Sequence, residues 1–142
     1  MKIACAILII ILGVLGFSVL ATAAETKATT PDSIPNLTGT WKGTSSGYMV
    51  GTGFTEDTMT YTITEQNGQA FIGFKEYFFK GQELGIENFA GIITDEGTIY
   101  IVDIPGGQVV GKLIGSDQMN LNSFNDGEET YVFISILKRE TH

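Results

Sequence analysis

The chain has 142 residues, a formal net charge of −8, one Cys and one His. This length suits a single domain, and the acidity without any cluster of Lys and Arg argues against nucleic acid and anionic membranes as partners. Cys5 lies in the first apolar run and His142 is the last residue. The folded part therefore lacks the side chains for disulfides, thiol or His-activated catalysis, and Cys- or His-ligated zinc.

The N-terminal segment has the pattern of an export signal. Lys2 precedes an apolar run over residues 3–20, and Ala21-Thr22-Ala23 forms a small-x-small cleavage site. We interpret residues 1–23 as a signal peptide that is cleaved before Ala24. The alternative is an uncleaved anchor helix formed by residues 3–20, because the run is near the lower length limit for a membrane span. Both interpretations predict an extracytoplasmic protein, secreted or at the cell surface, with membrane contact only if this segment is retained.

The remainder divides into a flexible tether over 24–36 and a β domain over 37–142. The tether is rich in Thr, Pro and Ser and has no periodic apolar pattern. From Leu37 onward apolar and polar residues alternate with a period of two, which is typical of strands. The pattern predicts eight strands, which contain the segments LTGTWKGT, MTYTIT, QAFIGFKEYF, NFAGIIT, TIYIVDI, QVVGKLI, QMNLNSF and ETYVFISILKR.

The connections favour an all-β fold built as one eight-stranded antiparallel up-and-down barrel. Tight turns are predicted at Asn67-Gly68, at residues 95–97 and at residues 115–117. The two long connections, residues 47–56 and 79–87, fall at the opposite end of such a meander. We therefore expect one narrow end and one looser mouth. A two-sheet sandwich is the competing architecture, but its crossovers need longer connections than most of these.

The segment Gly39-Thr40-Trp41 resembles the opening of the first strand in the calycin group, which comprises lipocalins, fatty-acid-binding proteins and avidins. In lipocalins a basic residue near the end of the last strand packs over this Trp, and Arg139 is the matching residue here. The resemblance implies structural roles for Gly39, Trp41 and Arg139 and a calycin-like barrel. The lipocalin disulfide is impossible in this chain, and a single Trp argues against the biotin site of avidins.

Acidic side chains are the remaining candidates for chemistry. Asp103 interrupts an apolar strand, and we expect it to point outward or to lie at the rim; an inward Asp103 needs a partner such as Lys112. The turn at 125–129 contains Asp126, Glu128 and Glu129 but lacks the register of a calcium loop. We therefore predict no metal, no cofactor and no enzymatic activity, with a carboxylate-based reaction as the enzymatic alternative.

Two functions fit this inventory. The first is non-enzymatic binding of a small apolar ligand through the loop-rich end, because an eight-stranded barrel is wide enough to hold one small molecule. The alternative is a structural or protein-interaction domain whose aromatic side chains fill the barrel. For the first function, loop composition and strand alternation select these ligand-binding candidates: Tyr48, Met49, Phe54, Tyr61, Phe71 and Tyr131.

Overall fold

A computed structural model describes residues 34–80, 82–104, 106–127 and 129–141. These residues form a closed antiparallel barrel of eight strands in which each strand pairs with its sequence neighbours and the last pairs with the first. The predicted all-β up-and-down barrel is confirmed. The signal or anchor segment 1–23 and most of the tether 24–36 lie outside the described residues. Within the described part of the chain, no helix is long and apolar enough to cross a membrane.

The eight strands follow one another with short connections. Their bounds are β1 Gly39–Met49, β2 Gly53–Asn67, β3 Ala70–Phe79, β4 Gln82–Ile93, β5 Thr98–Asp103, β6 Gln108–Ile114, β7 Gln118–Asn125 and β8 Tyr131–Arg139. The alternation of side chains follows the period of two over most of each strand, where the inward-facing positions carry odd residue numbers. Register shifts after Ile63 in β2 and after Tyr77 in β3 interrupt this alternation.

The two connections predicted to be long are instead strand extensions. Most of the segment 47–56 continues the β1–β2 ladder, in which Met49 pairs with Gly53 across a three-residue turn. Residues 82–87 of the second segment likewise belong to β4, which pairs with β3 up to Gln82 after a register shift that follows Tyr77. Antiparallel pairing satisfies the backbone polar groups that a loop would leave to water, so these Gly- and polar-rich stretches form strands despite their weak propensity.

The hydrophobic core fills the end of the barrel that carries the tight turns. Trp41, Ile93, Ile99 and Leu137 are fully buried there. The guanidinium of Arg139 lies 4.1 Å from the centre of the Trp41 ring, so the cation–π contact expected from the Gly-x-Trp pattern is present. We refer to this part of the molecule as the closed end.

Residues 34–38 cross the closed end and seal it. Leu37 is fully buried, and its carbonyl accepts a hydrogen bond of 2.9 Å from Nε1 of Trp41. Arg139 donates to the carbonyls of Thr38 and Asn36 over 2.7 and 2.6 Å. The residue that covers the Trp therefore also fixes the chain before β1.

Candidate functional site

The barrel is open at the other end, where a cavity of about 350 Å³ extends into the interior. This volume lies within the range of small-molecule sites. The wall combines apolar and aromatic side chains with acidic ones, and it includes Met49, Met59, Tyr77, Phe78, Leu84, Tyr131, Phe133, Asp57, Glu87 and Glu129. We call this end the mouth. It carries the β1–β2, β3–β4, β5–β6 and β7–β8 connections, so the predicted arrangement of a closed end and a mouth is present.

A buried ionic cluster lies at the inner part of the cavity. Lys75 on β3 contacts two carboxylates: its Nζ lies 2.6 Å from Oδ2 of Asp103 and 2.9 Å from Oε2 of Glu87. Glu87 is the direct partner of Lys75 in the β3–β4 ladder, whereas Asp103 lies on β5, beyond β4. The side chain of Asp103 is fully buried, and that of Lys75 is 6% exposed. One ammonium group is thus shared by two carboxylates in a largely buried environment.

Burial and mutual proximity change the proton affinities of these groups. Burial raises the pKa of Asp103, and the attraction of Lys75 only partly opposes this effect. For Lys75, burial favours the neutral amine, but Tyr61, Asp103 and Glu87 together outweigh it and raise the pKa of the ammonium. Lys75 is therefore charged at neutral pH. Burial also raises the pKa of Tyr61 to about 12, so this phenol is neutral.

Two polar atoms beside this cluster have no hydrogen-bond partner among the described residues. They are the hydroxyl of Tyr61 and Oδ1 of Asp103, both buried. Leaving such a group unpaired costs roughly 1–3 kcal/mol. Other inward polar groups are paired: the hydroxyl of Ser135 donates to Ser45 over 2.9 Å. The interior is thus apolar at the closed end and carries unused hydrogen-bonding capacity near the mouth.

The structure brings together only some of the predicted ligand-binding residues. Met49 and Tyr131 line the cavity. Tyr61 is buried next to the ionic cluster, where it pairs with Lys75 in the ladder, and Phe71 belongs to the packed core against Phe89. Phe71 therefore lies on the correct face of its strand but too far toward the closed end to line the cavity.

Tyr48 and Phe54, the ligand-binding candidates selected from the composition of the first long connection, do not line the cavity. They face each other across the β1–β2 hairpin on the outer surface, 63% and 58% exposed, with ring centres 5.4 Å apart. A flexible loop would allow either side chain to turn inward. Because the segment is paired strand, the alternation fixes even-numbered residues on the outside.

The orientation expected for Asp103 is wrong. It points inward, is 2% exposed and pairs with Lys75 rather than with Lys112. Sequence reasoning missed Lys75 and Glu87 entirely. Lys75 stands between Phe74 and Glu76 in a segment where both faces contain apolar residues, so alternation alone does not select it. The available signal was Asp103 itself, since a carboxylate inside a barrel requires a cationic partner.

No family model matches this chain, and the comparison with curated proteins found no relative. The closed eight-stranded antiparallel barrel is compatible with a calycin-like fold. Among the residues described, no group of three or more His, Cys, Asp and Glu side chains is arranged to hold a metal ion.

Proposed function

We propose that this domain is a calycin-like, non-enzymatic binding protein that holds one small ligand in the cavity at the mouth. The observation that carries the proposal is the cavity itself: about 350 Å³ of space remains in a barrel whose other end is packed solid. A barrel with a purely structural role has no need to leave this volume unfilled, because unfilled space costs stability.

The composition of the wall supports the same conclusion. Apolar side chains such as Met59, Phe78 and Phe133 supply surface whose burial drives binding, at about 25 cal/mol per Å². The hydroxyl of Tyr61 and Oδ1 of Asp103, which have no hydrogen-bond partner among the described residues, lie behind this wall. Small-molecule sites combine apolar surface with polar groups that fix the orientation of the ligand, and the lining of this cavity contains both.

Binding can be tested without knowledge of the natural ligand. Native mass spectrometry of the protein purified from its own host should reveal a retained small molecule. In parallel, the neutral probe phenylnaphthylamine should bind saturably at one site. Met49→Trp, which places a larger side chain at the cavity wall, should weaken probe binding about tenfold or more, because the added volume takes up space that the probe needs.

The matched control is Tyr48→Trp, which changes the adjacent outward-facing residue on the same strand. It should leave the affinity for the probe unchanged. Absence of a retained molecule together with absence of saturable probe binding would overturn the proposal.

The second candidate is a protein-interaction domain, and the outer surface favours it. Tyr48, Phe54 and Val132 are apolar, 58–63% exposed, and adjacent across the β2–β1–β8 ladder near the mouth. Exposed apolar clusters of this kind are common at protein contacts. A protein rather than a small molecule retained in the native mass spectrum would favour this function.

A further inference from the structure

We infer that the ligand of this cavity is an organic cation: an apolar or aromatic body that carries an ammonium group. The inference rests on the proposed function, because it names the chemical class that the same cavity takes. It also adds a charged group to the small apolar ligand that the sequence predicts.

The cavity carries more negative than positive charge. Glu87 and Glu129 line it, and Lys75 is the single basic residue among the described lining residues. Asp103 adds a third carboxylate directly behind Lys75. The charges therefore do not balance, and the cavity as a whole attracts a positive charge and repels a negative one. In a partly desolvated cavity this attraction is less screened than at an open surface.

The buried ionic cluster at the inner part of the cavity is incompletely paired. Lys75 is shared between Asp103 and Glu87, so one buried cation serves two carboxylates. Oδ1 of Asp103 accepts no hydrogen bond within the described chain although it is fully buried. A second cation near Glu87 would give that carboxylate a cationic partner that it does not share with Asp103. A ligand with an ammonium group supplies that cation and its hydrogen-bond donors together.

Two aromatic rings lie in the cavity wall close to its carboxylates. Tyr77 and Tyr131 both line the cavity, and each lies within electrostatic range of Glu87 and Glu129. Aromatic rings beside carboxylates suit an ammonium group, since a cation that contacts the face of a ring gains the cation–π attraction in addition to the ion pair. The ligand's body then extends against Met59, Phe78 and other apolar wall residues.

The inference predicts an order of affinities for ligands that share one body. Isothermal titration calorimetry at neutral pH should compare naphthylethylamine, naphthylethanol and naphthylacetate, which carry a cationic, a neutral and an anionic head group. The amine should bind about tenfold tighter than the alcohol, as expected for one charge-assisted hydrogen bond, and the acetate should bind weakest. Added salt should reduce the preference for the amine.

Variants of single acidic residues then identify where the ammonium group of the ligand binds. Glu87→Gln removes the charge with little change in volume and should bring the affinity for the amine down to about that for the alcohol. Glu76→Gln is the matched control, because Glu76 is the next residue after Lys75 on β3 and faces away from the interior. If Glu87→Gln does not fold, Glu129→Gln at the exposed rim should still lower amine binding severalfold.

The outcomes separate this inference from the proposed function. An alcohol that binds as tightly as the amine would overturn the cation preference while leaving the binding function intact. Binding of the neutral probe without binding of the amine would have the same meaning. If neither the probe nor any of the three compounds binds, the proposed function and this inference both fail.

Discussion

Asp103 shows how one buried side chain links stability to pH. Its carboxylate is fully buried beside Lys75, and because burial outweighs the attraction of the ammonium, its pKa is raised in the folded protein above the ordinary value of 3.8. Between these two values the folded chain keeps a proton that the unfolded chain has released. The free energy of unfolding contributed by Asp103 is therefore highest below pH 3.8 and falls as the pH rises through the raised pKa.

We predict that this contribution is visible as a difference between the wild type and Asp103→Asn. Denaturant unfolding from acidic to neutral pH should show the stability of the wild type falling relative to that of the variant. The slope cannot exceed about 1.4 kcal/mol per pH unit for one proton. A relative stability that rises with pH would mean that the ion pair with Lys75 outweighs the cost of burial.

At the scale of single residues, the site was only partly predictable from the sequence. Asp103 is conspicuous because it interrupts an apolar strand, but its partner Lys75 lies 28 positions earlier. The contact depends on the β3–β4 and β4–β5 registers together. The β3–β4 register includes a shift after Tyr77 that no turn residue in the sequence indicates. Trp41 and Arg139 were recognisable because both belong to a pattern that the resemblance supplies.

At the scale of elements, the pairing of β1 with β8, which closes the barrel, depends on a position where only glycine fits. Gly43 on β1 pairs with Leu137 on β8, and a Cβ at this position would overlap the carbonyl oxygen of Ile136. The two backbones approach so closely that the obstacle is main chain rather than a flexible side chain. A mid-strand glycine, which weakens a flat sheet, here permits the barrel to close.

We predict that Gly43→Ala destabilises the protein by about 1–3 kcal/mol or more, the usual cost of overpacking. Gly106→Ala is the matched control: among the described residues, nothing lies within 4 Å of a Cβ at that position. Chemical unfolding of both variants beside the wild type measures the difference. Equal stability of the two variants would show that β1 and β8 separate readily to admit a methyl group.

Strand extension is the element-scale feature that the sequence did not reveal. The first hairpin tip contains Gly51 and Gly53, which favour a turn, and the apolar residues beside them look like those of a mobile lid. Pairing across the ladder continues almost to each tip because the neighbouring strands are already aligned by the barrel. The mouth is therefore framed by hairpins rather than by loops, and its side chains are fixed inward or outward by the pleat.

At the scale of the whole molecule, one chain builds two ends with different physical character. The closed end contains the densely packed apolar core and the hydrogen bonds of residues 34–38. The mouth contains the cavity, the shared ion pair and two buried polar atoms that have no hydrogen-bond partner within the described part of the chain. Apolar burial contributes more than ion pairing to stability, so the energy that holds the barrel together is concentrated away from the site.

This division predicts a gradient of local stability along the barrel axis. In hydrogen exchange measured by NMR, amides in segments 41–45 and 135–137 should be protected to the level of global unfolding. Amides in segment 48–54, at the tip of the β1–β2 hairpin, should exchange through smaller openings and far faster. A ligand that fills the cavity should slow exchange at the mouth selectively, because Met49, Thr52 and Thr55 line it. Uniform protection from one end to the other would contradict this gradient, because it would indicate that the barrel opens only as a unit. Ligand entry would then require no local opening of the hairpins.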